Sequence, residues 1–231
     1  GDCYGFFGND SPSTQEDFII DGDSLGSCPI KSHVILDDQM FNITFRNIWF
    51  RCTNGFAGFD FSGAGTNIFI YNCLFTGKIA NFRSHLTWNT DKGNISIWDG
   101  IWIQENTFNC DSGPAGGGVI EFNRGNNTLS TILRNVTGRN NIIQGSVAGE
   151  SLVTVYSNSA DTGPVVDAAT FVWDRNTYYV ASTVNMFTWR TAQTFAGWKT
   201  ASGQDSNSIF SQQSFVNEGA GDYHLQAGST A

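Results

Sequence analysis

The chain has 231 residues and a formal net charge of −9, with 12 Lys and Arg set against 21 Asp and Glu. That balance argues against a nucleic-acid binder, whose phosphate partner demands a basic stripe, and no stretch approaches the run of about 18 apolar residues that a membrane helix needs. Only 14% of residues are charged, 14% are aromatic and 26 are Gly, which is the composition of an all-β domain rather than of a disordered chain.

In chain order, residues 1–17 carry turn formers and no period, with Tyr4, Phe6 and Phe7 as apolar exceptions. They are expected to form an N-terminal cap over an apolar coil end. With no Met at its start and no apolar leader-like stretch, the sequence reads as a mature or excised segment.

From residue 18 to 193 two columns recur together. One is Asp21, Asn47, Asn72, Asn106, Asn141 and Asn176; the other is Leu36, Phe61, Trp88, Phe122, Tyr156 and Trp189. Both repeat first at about 25 residues and then at about 35, and periods of that size mark stacked repeats. The segments that bear them are short, rich in Ile, Val, Phe, Trp and Thr, and broken by Gly, Asn, Asp or Ser, which are strand and turn signals. Strands that return to one lateral position per repeat lie parallel, about 4.8 Å apart. The expected fold is therefore an all-β, single-domain parallel β-helix of about six coils.

The columns should have different chemistry. Asn47, Asn72, Asn106, Asn141 and Asn176 are expected to form one amide ladder, since Asn tolerates left-handed backbone angles and can stack amide on amide. Phe61, Trp88, Phe122, Tyr156 and Trp189 are expected to point inward as an aromatic spine. The extra residues of the longer coils all enter between an aromatic member and the following Asn, in Trp88 to Gly100, Asn123 to Thr137 and Ser157 to Thr170. Loops confined to one face of a solenoid commonly build its functional surface.

Residues 194–231 leave the period as a C-terminal cap. Phe195, Trp198, Gly203, Asp205, Ser208, Phe215, Gly221-Asp222-Tyr223-His224-Leu225 and Gly228-Ser229 resemble the terminal segment of right-handed parallel β-helix proteins of the pectin-lyase-like superfamily. There a Trp, a Gly-x-Asp-x-x-Ser turn, a Phe and a Gly-Asp-Tyr-x-Leu strand close the coil. The resemblance implies a right-handed coil and an extracellular or cell-surface habit, and it implies no activity, because the fold hosts many functions.

Enzymes of that superfamily depolymerise acidic polysaccharides. Asn89-Thr90-Asp91 resembles the first motif of the polygalacturonases, but no Asp pair, Gly-His-Gly or Arg-Ile-Lys follows it. Glycoside hydrolysis needs two carboxyl groups about 5 to 9.5 Å apart, and Asp91, Asp99 and Glu105 are the acids clustered on the insertion side. A lyase would need Ca²⁺ ligands and an Arg or Lys base, for which Arg124 is one candidate. The cysteines Cys3, Cys28, Cys52, Cys73 and Cys110 lack the spacing of a zinc site. A disulfide of Cys28 with Cys52 or, preferred, of Cys3 with Cys28 is open. Asn42, Asn94, Asn126 and Asn135 head Asn-x-Ser/Thr sequons and are candidate glycosylation sites.

The reading that follows is a secreted or cell-surface, non-catalytic structural or adhesive rod able to stack into filaments through its ends. Its partners would be further copies of itself or a carbohydrate polymer. A polysaccharide lyase or glycoside hydrolase is the alternative, and a carbohydrate-binding module using Trp98, Trp102 or Trp173 stands between them.

Overall fold

Three parallel strands are laid down per turn of chain, and each pairs with its counterpart one turn later. The computed structural model describes residues 4–6, 14–22, 24–25, 34–36, 39–53, 59–61, 63–78, 84–89, 97–111, 118–123, 133–145, 151–155, 165–181 and 186–230. Among these, sheet A is built from Tyr4–Phe6, Val34–Leu36, Phe59–Phe61, Leu86–Asn89, Gly118–Asn123, Ser151–Val155 and Phe187–Trp189, with Thr191–Gln193 antiparallel at its end. Sheet B comprises Thr14–Glu16 and Ile19–Asp21, then Gln39–Arg46, Ala64–Tyr71, Trp98–Gln104, Leu133–Arg139 and Phe171–Asp174. Sheet C comprises Ser24–Leu25, Trp49–Thr53, Leu74–Lys78, Thr107–Asp111, Ile142–Gln144, Thr177–Tyr179 and Ile209–Phe210. The chain visits A, B and C in that order, so it is a parallel β-helix.

The N-terminal stretch is not the expected cap. Tyr4 pairs with Val34 and Thr14 with Gln39, so the strands Tyr4–Phe6 and Thr14–Glu16 belong to the first rung together with Ile19–Asp21 and Ser24–Leu25. Its period escapes notice because Asp17 (φ 54°) and Gly22 (φ 74°) take the left-handed turn positions that Asn holds in the following rungs.

The corner from sheet B to sheet C is a turn of constant length whose first residue is left-handed: Asn47, Asn72, Glu105, Asn140 and Arg175, with φ between 51° and 59°. The second residue is Ile48, Cys73, Asn106, Asn141 and Asn176, each buried to within 2%. The single Asn column expected from the sequence is therefore two. Asn47 and Asn72 occupy the first, exposed position, whereas Asn106, Asn141 and Asn176 occupy the second, buried one. Asp21 lies one place earlier still, paired with Arg46.

Both columns are ladders. Outside, Asn72 Nδ2 donates to Asn47 Oδ1 and Asn47 Nδ2 to Asp21 Oδ1, each at 2.6 Å. Inside, Asn106 Nδ2 donates to Asn141 Oδ1 at 3.1 Å and Asn141 Nδ2 to Asn176 Oδ1 at 3.0 Å. The inner amides also clamp backbone: Asn141 Oδ1 accepts from Asn106 N at 3.0 Å, and Asn141 Nδ2 donates to Ile103 O at 2.9 Å. They thereby serve polar groups that the corner would otherwise bury unpaired.

A third column bends sheet B in mid-strand. Asp17, Asn42, Asn67, Gly100 and Asn135 are all left-handed there, and Asn67 Nδ2 donates to Asn42 Oδ1 and Asn42 Nδ2 to Asp17 Oδ1, both at 2.8 Å. Gly100 has no side chain because a Cβ would lie 2.8 Å from Trp102 Cη2.

Inside the coil, Phe61, Trp88 and Phe122 stack face to face with centroids 4.6 and 5.2 Å apart. In the next rungs Val155 pairs with Phe122 and then Trp189 with Val155. The spine position thus belongs to Val155, while Tyr156 lies outside the described residues. Phe50, Phe75 and Phe108 form a second stack on sheet C, at 4.8 and 4.4 Å. From sheet B, Trp173 lies over Gly138, where a Cβ would come within 2.2 Å of the indole, and Trp98 lies over Gly65 in the same way. Cys73 is a free, buried thiol, and Cys3 and Cys28 lie outside the described residues.

The C-terminal end is closed by the chain itself. The helix Phe195–Ser202 is capped by Thr194, which accepts from Gly197 N, and ends on left-handed Gly203. Its fully buried Trp198 packs on Phe187 and Trp189.

The division into two columns predicts unequal costs in urea denaturation. Asn141→Ala should lose about 1 to 3 kcal/mol for each buried group left without a partner. Asn72→Gly, which keeps the left-handed turn on the exposed column, should cost less than about 1 kcal/mol. Equal losses would contradict the assignment.

Candidate functional site

After the helix the chain turns back along the outside of sheet C. Gln213 N donates to Gln144 Oε1 at 3.2 Å, and Asn109 Nδ2 to Glu218 Oε2 at 3.1 Å. The antiparallel pair of Phe215–Asn217 and Asp222–Leu225 then brings Tyr223 edge-on to Trp49, with ring centroids 6.0 Å apart. Left-handed Gly221 permits this approach, since a Cβ there would lie 2.9 Å from Trp49 Cη2. Between this arm and the B-to-C corner lies an open groove of about 380 Å³, lined by Asn47, Asn72, Glu105, Thr107, Trp49, Tyr223 and His224 among others. Arg51 packs its guanidinium 4.4 Å from the Trp49 ring centroid, and Trp49 Nε1 donates to Thr76 Oγ1 at 2.9 Å.

Of the two described acids among those singled out in the sequence, Glu105 lines this groove and Asp99 does not. Asp99 sits on the outer face of sheet B and accepts from Asn135 Nδ2 at 2.6 Å. The two lie on one extended strand, Trp98–Gln104, and the residue after it. The strand bends at Gly100, and the stretch from there to Glu105, at about 3.3 Å per residue, still sets the two roughly 15 Å apart, beyond the window of about 5 to 9.5 Å for paired glycosidase carboxyls. Asp91, Arg124, Asn94 and Asn126 lie outside the described residues. Asn42 and Asn135 are exposed, but the Nδ2 that would carry a glycan is engaged at both in a hydrogen bond to the neighbouring rung.

Nor do the tryptophans form the platform considered above. Trp98 and Trp173 are wholly buried. Trp102 stacks face to face on Phe69 at 4.5 Å and 9°, which occupies one face of its ring, so the three tryptophans do not share a platform.

Two further acids are buried: Glu121, which the sequence reading passed over, and Asp205, which it named only as part of the terminal motif. Glu121 accepts from Ser84 Oγ at 2.5 Å on the outer face of sheet A, where Thr87 and Thr154 are buried beside it. Alternation along Val119-Ile-Glu-Phe points Glu121 outward, and nothing in that alternation signals its burial. Asp205 belongs to the Gly-x-Asp-x-x-Ser turn. Burial pushes its carboxyl up to about 6 although four donors surround it: Trp198 Nε1 at 2.6 Å, Tyr178 OH at 3.0 Å, Asn176 Nδ2 at 3.3 Å and Ser208 Oγ. A perturbed acid in a cleft is a candidate catalyst. Asp205, 1% exposed, instead ties the cap helix to the last amide of the inner ladder. Burial and the Asp205 charge likewise push the Tyr178 phenol up.

At the surface, hydrogen bonds from Arg46 and Asn47 hold the Asp21 carboxyl down, and those from His224 hold Asp222 down. Among the described residues no three His, Cys, Asp or Glu converge as a metal site, and no helix is long and apolar enough to cross a membrane. No family model, curated protein or solved structure matches the chain.

Because the Asp205 carboxyl is raised from its ordinary value to about 6 in the folded protein, its contribution is fully present at pH below the unfolded value and is lost as pH rises through 6. The stability of the wild type relative to Asp205→Asn should therefore fall by about 3 kcal/mol from pH 3.5 to pH 7. A difference that is flat or rises with pH, in parallel thermal melts, would show that burial does not govern this carboxyl.

Proposed function

We propose that the protein is a non-catalytic extracellular or cell-surface scaffold, a stiff β-helical rod whose rungs are locked to one another along its length. The observation that carries this reading is the continuity of axial order. Side-chain amide ladders and stacked rings link rung to rung inside and outside the coil. Such ladders suit a part that keeps its shape under load. The resemblance of the C-terminal segment to pectin-lyase-like β-helices supports the extracellular setting.

Of the two partners considered, a carbohydrate polymer suits the groove beside Trp49 and Tyr223, where rings, amides and a hydroxyl line one cavity. The net charge of −9 favours a neutral polymer over an acidic one. The described acids support binding over hydrolysis, since Asp99 is tied to Asn135 and stands far from Glu105.

The test is incubation with pectate, alginate and neutral glucans, with and without Ca²⁺, following unsaturated products, reducing ends and co-sedimentation. The expected result is co-sedimentation with a neutral glucan, weakened at least tenfold by Trp49→Ala, and no product. Turnover that disappears in Asp91→Asn or Arg124→Ala would overturn the scaffold reading in favour of the lyase or hydrolase. Failure to sediment with any polymer would remove the carbohydrate partner.

A further inference from the structure

The outer amide ladder is interrupted inside the groove. Asn47 accepts from Asn72 on one side and donates to Asp21 on the other, both at 2.6 Å. Asn72, whose Nδ2 donates toward the first rung in the same way, therefore turns its Oδ1 toward the next rung. There the corner holds Glu105: Tyr71 pairs with Gln104, and Asn72 and Glu105 follow them in two stacked left-handed positions. An ionised carboxylate only accepts, so acceptor faces acceptor where an Asn would have continued the ladder. Among the described residues no donor serves Asn72 Oδ1 or the Glu105 carboxylate, and the Asn140 amide of the following rung makes no bond to Glu105.

Both residues are exposed, and both line the groove with Thr107, Trp49 and Tyr223. Their acceptors stand about one strand spacing apart, roughly 4.8 Å. One hydroxyl has a single hydrogen and can satisfy only one of them, whereas two hydroxyls on adjacent carbons, each reaching about 2.8 Å, satisfy both. A metal ion fits less well, since two oxygens fall short of the about six to eight that Ca²⁺ takes. An organic cation is opposed by the Arg51 guanidinium lying over Trp49. The rings of Trp49 and Tyr223 supply apolar surface beside these few polar groups, the combination expected of a small-molecule site.

We propose that Asn72 Oδ1 and the Glu105 carboxylate are the polar half of a saccharide subsite, which takes a neutral glucan through two hydroxyls on adjacent carbons of one ring. The proposal rests on the carbohydrate reading of the groove and names the groups that select the sugar. It also gives Glu105 a reason: the ladder forgoes one bond between rungs, and the ligand makes it instead.

The test is calorimetric titration of the wild type, Glu105→Asn and Asn72→Gly with two hexasaccharides, alongside thermal melts. Cellohexaose carries hydroxyls on adjacent carbons of its inner rings, and laminarihexaose does not. The wild type should bind cellohexaose about tenfold or more tightly than laminarihexaose, and each variant should lose about tenfold or more for cellohexaose, as removal of one such hydrogen bond implies. Glu105→Asn sets an Nδ2 against Asn72 Oδ1 on a residue at ease with a left-handed backbone, so it should melt about 2 to 4 °C above the wild type. Asn72→Gly should show no such gain. Equal binding of the two hexasaccharides, unchanged affinity in either variant, or a Glu105→Asn protein that melts no higher would each overturn the subsite while leaving the carbohydrate reading in place. A wild type that binds neither hexasaccharide would overturn the subsite as well, and co-sedimentation with the polymers named above then decides the carbohydrate reading separately.

Discussion

The corner from sheet B to sheet C is the constraint on which the remaining architecture depends. Its length is the same in the successive rungs, and its first residue is left-handed whether that residue is Asn, Glu or Arg. A non-glycine residue in that region carries a steric cost of order 1 kcal/mol, so the corner recurs only because each copy is held by the copies beside it. Backbone N–H groups of Cys73, Asn106 and Asn141 donate to the amide oxygen of the next rung, at 2.9 to 3.0 Å. One fixed corner sets the register of the strands on both sides of it. The A-to-B corner is under no such constraint: the chain leaves sheet A at Phe61, Asn89, Asn123 and Val155 and re-enters sheet B at Ala64, Trp98, Leu133 and Phe171. Length variation, and with it any specialised surface, is free to accumulate there.

The interior obeys the same rung-to-rung logic with rings in place of amides. Parallel stacking puts like residues above one another, so Phe50, Phe75 and Phe108 make one column and Phe61, Trp88 and Phe122 another. The cross-section has a fixed size, and the largest side chains are accommodated by deleting a neighbour's: Trp173 over Gly138 and Trp98 over Gly65. Close packing of this kind resists both enlargement and reduction of any one member. At the C-terminal end rings and ladder meet, since the carboxylate of Asp205 takes hydrogen bonds from Trp198, Tyr178 and Asn176 together.

Much of this was legible in the sequence, and the errors have physical causes. The parallel coil, the fixed corner and the side on which insertions fall all follow from two columns that keep step. The ladder was misread because Asn suits both corner positions for different reasons: at the first it tolerates a left-handed backbone, and at the second its amide serves buried backbone groups. The switch occurs between Asn72 and Asn106, where Glu105 takes the first position. A column of identical letters hides a step of one residue, and that step carries the side chain from solvent to core. The opening strands of the first rung, before residue 18, were assigned to a cap because Asp17 and Gly22 replace Asn, and Val155 was missed because its aromatic neighbour Tyr156 matched the column by type. The groove could not be read at all, since it exists only because residues 211–230 fold back over strands more than a hundred positions earlier.

A rod held by ladders at one corner should be most rigid there, although turns are ordinarily where a backbone opens first. Hydrogen exchange of the backbone amides of Cys73, Asn106 and Asn141 measures this directly, because each is protected by a side-chain oxygen of the next rung rather than by a strand partner. The account predicts that all three exchange as slowly as the central strand amides of Ile101 and Ile103, through global unfolding alone. Exchange at the rate of freely solvated turn amides, while the strands remain protected, would contradict it.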